Sequence, residues 1–152
     1  MLDDQLYDNL VFTGTIVEIL ARETANMRSH VMNCLGKDNL YHIYRTADVW
    51  HCLPMERVLE EVIADFCDTP LAEGNNPIWK STMYKLVEKP RVAAKIIPRM
   101  VERLASDVNE AFDLWWDLYH SWMEHDLFDF DDIVYWQSTE YHLESYQNND
   151  WL

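Results

Sequence analysis

Between Pro98 and Glu124 the chain reads PRMVERLASDVNEAFDLWWDLYHSWME, with no Gly or Pro after Pro98 itself. At helical periodicity Leu104, Val108, Ala111, Phe112, Trp115, Leu118, Tyr119 and Trp122 fall on one arc, flanked by Trp116 and Met123, while Glu110, Asp113, Asp117 and Glu124 fall on the opposite arc. A segment with this division can bury one side only. The spacing therefore predicts one long amphipathic helix that sets an aromatic face against a core and a carboxylate stripe against solvent.

The rest of the chain reads as helices around it. Thr15 and Glu18 have capping-box spacing, the stripe Ile16, Ile19, Leu20, Met27, Val31 and Leu35 follows, and Gly36 is a natural stop, so a helix is expected from Thr15 to Gly36. A short opening helix or extended lead-in should end near Gly14. Residues 37–53 read as helix after an Asp38 cap, although Tyr41, Ile43, Val49 and Trp50 also suit a strand. Pro54 opens a stripe of Met55, Val58, Leu59, Val62, Ile63 and Phe66 that Thr69-Pro70 ends, and Asn76-Pro77 opens another through Ile78, Trp79, Met83, Leu86 and Val87. Asp131 or Asp132 can cap a last helix containing Ile133, Trp136, Tyr141 and Leu143. The expected fold is all-α, a single domain over residues 1–152 made of about five to seven bundled helices. A chain of 152 residues that is 49% hydrophobic can bury a core of that kind.

Charge then constrains function. The chain has 27 acidic and 12 basic residues, a net charge of −15, which repels nucleic acid and anionic membranes and attracts basic protein surfaces. The acid is concentrated: residues 101–152 carry 13 acidic residues against Arg103 alone, whereas residues 77–100 carry Glu88 against Lys80, Lys85, Lys89, Arg91, Lys95 and Arg99. The opening Met-Leu-Asp-Asp lacks the basic and apolar regions of a signal peptide, and no apolar run is long enough to span a bilayer, so a cytoplasmic protein is expected. Cys34, Cys52 and Cys67 show no CxxC spacing and fit buried reduced thiols without disulfides.

Catalytic chemistry finds little footing. His120, Glu124 and His125 lie close together, but their spacing matches neither HExxH nor HxxEH, and no paired Glu-x-x-His motif of a di-iron bundle occurs. His30 with Cys34, and His51 beside Cys52, admit a metal site or a thiol–base pair, yet no glycine-rich turn or second cysteine accompanies them. The glycines form no phosphate loop. The expectation is a protein that is not an enzyme and uses neither a metal nor another cofactor.

The acidic stripe is what remains. A solvated helix face ordinarily mixes charge signs, whereas like charges at i,i+3 and i,i+4 repel by a few tenths of a kcal/mol each. Carboxylates at that spacing also rise about 4.5 to 6 Å along the axis, of the order of the phosphate spacing along a nucleic-acid strand. The expected partner-binding residues are Glu110, Asp113, Asp117 and Glu124, extended by Asp126, Asp129, Asp131 and Asp132. The expected activity is a nucleic-acid mimic that blocks the groove of a basic restriction, CRISPR or other nuclease effector. An immunity protein against a basic toxin shares this physics. A regulatory module that binds, for example, transcription machinery through an aromatic patch, and a cryptic metal or thiol enzyme, are the other classes.

Overall fold

The computed structural model describes residues 2–67, 71, 73–74, 89–130 and 132–152. Every regular element among them is helical. The expected all-α class holds, and within residues 37–53 the regular structure is helix, over 37–45 and 47–50, with no strand.

The organising element is the first helix, α1 (Asp4–Thr24). Asp3 caps it, its carboxylate accepting from the Leu6 amide at 2.8 Å. From Asn9 to Glu18 every residue is buried, so α1 behaves as a core helix enclosed on all sides. Its buried hydroxyls are satisfied within the helix: Thr13 donates to the Asn9 carbonyl at 2.8 Å and Thr15 to the Val11 carbonyl at 2.6 Å. Thr15 therefore caps nothing, and Gly14 does not end a helix as expected.

Gly14 instead allows close approach. A Cβ at this position would meet the Ala94 Cβ and the Tyr119 hydroxyl at 3.5 Å, ordinary contact for a methyl but no room for more. Because glycine in a helix interior costs roughly 0.5–1 kcal/mol relative to alanine, Gly14→Ala is expected to stabilise the fold by up to that amount, and Gly14→Leu to destabilise it. Denaturant melts of the two variants check both signs.

The chain leaves α1 at Ala25, whose positive φ of 55° reverses it. Two helices, not one from Thr15 to Gly36, thus span this region, since α2 (Arg28–Leu35) starts afresh. Gly36 ends α2 as expected and, at φ 94°, passes the chain into α3 (Lys37–Arg45), followed by the single turn α4 (Ala47–Trp50). Asp38 lies in the first turn of α3 rather than at its cap. Helix α5 (Met55–Phe66) buries Val58 and Val62 and faces Glu56 and Glu60 outward. The predicted stop at Thr69-Pro70 and helix after Asn76-Pro77 lie outside the described residues.

Pro90 opens α6 (Pro90–Ala93), and Pro98 sits in the first turn of α7 (Ile96–Leu104), where a missing amide removes no helical bond. The predicted long helix from Pro98 to Glu124 is not continuous. After α7 the chain extends at Ala105, makes a 3-10 turn over Val108–Glu110, and resumes as α8 (Ala111–Tyr119). The cause is local competition for the backbone: the Asp107 carboxylate accepts from the Asn109 amide at 3.0 Å, and Ser106 donates to Glu110 at 3.2 Å. A second break follows Tyr119, where Ser121 donates to the Leu118 carbonyl at 2.7 Å and accepts from the Met123 amide at 3.2 Å before the turn α9 (Glu124–Leu127). These breaks raise the number of α segments among the described residues above the expected five to seven. They also leave Val108 and Trp122, assigned to the buried arc, exposed.

Asp132 caps a 3-10 turn over Ile133–Trp136 instead of the last helix, accepting from the Val134 amide at 3.0 Å. Ser138 caps α10 (Thr139–Asn148). The helices α2, α3, α4, α6 and α7 pack around α1, and α8 and α10 pack on α7. At the centre Trp115 meets Phe112 and Tyr119 at 5.4 and 5.2 Å, and Tyr119 stacks on Phe128 at 5.4 Å.

His142, buried in α10, points Nε2 at the Val134 carbonyl at 2.7 Å. Burial pushes its pKa below the ordinary 6.5, the carbonyl opposing in part. Folding therefore favours neutral imidazole, and this contribution is complete above the unfolded-state pKa and is lost as pH falls below it. Between about pH 7.5 and about pH 5.5 the wild type should lose more thermal stability than His142→Gln, which cannot take up the proton.

Candidate partner-binding surface

Helix α8 carries its carboxylates opposite the buried Phe112, Trp115, Leu118 and Tyr119. Glu110, Asp113 and Asp117 are exposed and, with Asn109, Leu104, Leu114 and Tyr146, line one groove of about 480 Å³ between α8, α7 and α10. None of the described lining residues is basic. Lys37, reaching Asp113 at 3.0 Å from α3, is the cation ion-paired with these three among the described residues. Both side chains of that pair are largely exposed, so it adds at most about 1 kcal/mol.

The three acids are not equally at home. Glu110 and Asp113 stand at the start of α8, where the helix dipole favours negative charge, whereas Asp117 lies in its last turn, where the dipole opposes it. Asp117 is the carboxylate that folding explains least.

The other predicted residues separate from this groove. Glu124 lies past the second break and is only 8% exposed, its Oε1 accepting from the Ser29 amide at 2.8 Å. Met27 gives α2 no side-chain cap, so Glu124 satisfies that helix's N-terminus from 95 residues away. Its assignment to the solvent arc fails because the break turns it inward. Asp126 accepts from Trp151 Nε1 at 3.0 Å, and its hydrogen bond with His125 holds the carboxyl below its ordinary pKa, with Trp151 adding to the effect. Asp129 and Asp132 are half-buried, Asp132 engaged as a cap, and Asp131 lies outside the described residues.

A buried ionic cluster has no counterpart in the sequence reading. Glu18 is 0% exposed and grips Arg28, 1% exposed, with two hydrogen bonds, the second from Nη2 to Oε2 at 2.7 Å. Arg22 Nε reaches the same Oε2 at 2.8 Å, and the Arg28 guanidinium lies 4.1 Å from the Phe128 ring centroid. One signal was available: Glu18 is the single charge in residues 9–21, NLVFTGTIVEILA, and a charge inside such a run needs a partner.

The candidate chemical groups disperse. Cys34 and Cys52 are exposed rather than buried, Cys34 with its sulfur 3.7 Å from His30 Nε2, because both occupy outward positions of their segments. His51 packs on Phe12 at 4.2 Å. His120 stacks on Trp116 at 4.3 Å and meets the Asn33 amide at 2.9 Å. Among the described residues no three His, Cys, Asp or Glu side chains converge as a metal would require. No helix among them is long and apolar enough to cross a membrane. No protein-family model, curated protein or solved structure matches the chain.

Proposed function

We propose that this chain is a non-enzymatic acidic inhibitor that imitates nucleic acid and occupies the nucleic-acid groove of a basic partner, such as a restriction, CRISPR or other nuclease effector. The observation that carries the reading is the groove of α8: three exposed carboxylates, Glu110, Asp113 and Asp117, along one wall with no basic residue among its described lining. Like charges at i,i+3 and i,i+4 repel, and Asp117 also opposes the helix dipole, so this arrangement costs folding energy that a mixed-sign face would not. A surface of fixed carboxylates on a helix braced by Trp115 and Phe112 is preorganised for a partner whose Lys and Arg side chains already hold phosphates. Glu124 has no part in this face, and Asp126, Asp129 and Asp132 form at most its margin.

The same face would serve an immunity protein that neutralises a basic toxin, and the identity of the partner divides the two. The electrostatic basis of either is tested by measuring affinity for a nucleic-acid-binding partner across a salt series. Affinity should fall steadily from about 50 to about 300 mM salt, as attraction between solvent-facing charges requires. A flat response would contradict a charge-driven interface.

A further inference from the structure

A second groove, sharing no lining residue with the first, has the opposite character. It holds about 450 Å³ between α6–α7 and the segment from Tyr135 to His142. Val92, Ile96, Tyr135 and Trp136 supply its apolar surface, with Arg99 and Glu140 among its polar residues. Val92 is 50% exposed and Trp136 53%. Ile133, 70% exposed, stands one 3-10 turn before Trp136 and so on the same edge.

Two details make this more than scattered surface hydrophobics. The Trp136 indole is held, its Nε1 donating to the Phe130 carbonyl at 2.9 Å and its ring set edge-on to Tyr135 at 4.8 Å. It therefore offers an apolar ring whose polar atom needs nothing from a ligand. The charge of the groove is also unbalanced. Glu140 is taken by Arg103 at 2.7 Å, whereas Arg99, exposed on α7, has no ion pair among the described residues. In a chain of net charge −15, this is an apolar groove whose one uncompensated charge among the described lining residues is the Arg99 guanidinium.

We propose that this groove docks an acidic peptide segment of a partner protein, a bulky apolar side chain seated against Trp136 and Val92 and an adjacent carboxylate paired with Arg99. The surface is separate from the acidic groove, and the proposal does not depend on nucleic-acid mimicry. A polyanion fits poorly, because Arg99 is the one cation among the groove's described lining residues and the rest of the molecule repels a phosphate chain. A bilayer would seek a protruding apolar face, and this one is concave. A second copy would bring −15 against −15.

The test is selection of a random dodecapeptide phage library on the full chain, with counter-selection on Trp136→Ala, followed by affinity measurement on synthetic forms of the enriched peptides. Enriched sequences should carry an aromatic or large aliphatic residue beside Asp or Glu, and Trp136→Ala should weaken them by roughly tenfold or more. Arg99→Glu, a substitution at an exposed position that leaves the core intact, should shift the enriched neighbours from Asp and Glu to Lys and Arg. That reversal is a readout that loss of folding does not produce. The proposal is overturned by no enrichment, by enrichment without acidic residues, or by unchanged preference in Arg99→Glu. It is equally overturned if oligo-dT or anionic phosphatidylserine vesicles bind in a Trp136-dependent way, or if sedimentation shows a dimer that Trp136→Ala abolishes.

Discussion

Glu18→Gln is expected to destabilise the protein by about 3–5 kcal/mol, the range for removing one partner of a buried ion pair. Glu18 and Arg28 are both excluded from solvent, and the Glu18 carboxylate bridges Arg28 on α2 to Arg22 on its own helix. Neutralising it removes the anion that both guanidiniums contact in a site closed to solvent. For a domain of this size the melting temperature should fall on the order of 10 °C. Replacing the pair together, as Glu18→Leu with Arg28→Met, should cost less than Glu18→Gln alone, since removing both charges also removes their desolvation penalty. Equal or greater loss in the double variant would mean that the cluster stabilises through packing of Arg28 on Phe128 rather than through charge pairing.

The combined variant Glu110→Gln, Asp113→Asn, Asp117→Asn should behave in the opposite way, losing binding while keeping its fold. All three side chains are exposed and none contributes to the core. Asp113 gives up its exposed pair with Lys37 and a favourable dipole interaction, while Asp117→Asn relieves an unfavourable one and two like-charge repulsions disappear. These terms are each below about 1 kcal/mol and oppose one another, so the melting temperature should move little. Affinity for a basic partner should fall on the order of a hundredfold, taking about 1 kcal/mol for each charge lost at the interface. Glu124 is left out of this variant because it caps α2, and its substitution would confound binding with stability.

Helical class was legible because apolar spacing reports which side of a segment is buried, and that side is set by composition along a few turns. Breaks were not legible in the same pattern. Asp107 and Ser121 interrupt the run from Pro98 to Glu124 through side-chain bonds to nearby backbone, yet the apolar positions on either side of each interruption remain compatible with one continuous helix. Asp113 and Asp117 were assigned to one face correctly because both lie within α8. Glu124, beyond the second interruption, could not be placed by counting residues. Gly14 looked like a stop because its value depends on Ala94, 80 residues away in sequence, coming within 3.5 Å of the position its Cβ would occupy. Glu18 looked like a capping residue because its partner Arg28 sits across the bend at Ala25. The exposed Trp136 was expected inside a last amphipathic helix, and the 3-10 turn capped by Asp132 turns it outward instead.

Nucleic-acid mimicry makes a demand that general acidity does not: this protein and a nucleic acid must be unable to occupy the partner at once. The direct measurement is displacement of a labelled oligonucleotide from the nucleic-acid-binding partner by increasing concentrations of the full chain, beside the triple carboxylate variant. Mimicry requires complete competitive displacement by the wild type, with the apparent affinity shifting in proportion to oligonucleotide concentration, and displacement on the order of a hundredfold weaker by the folded variant. A ternary complex, or equal displacement by both proteins, would contradict it.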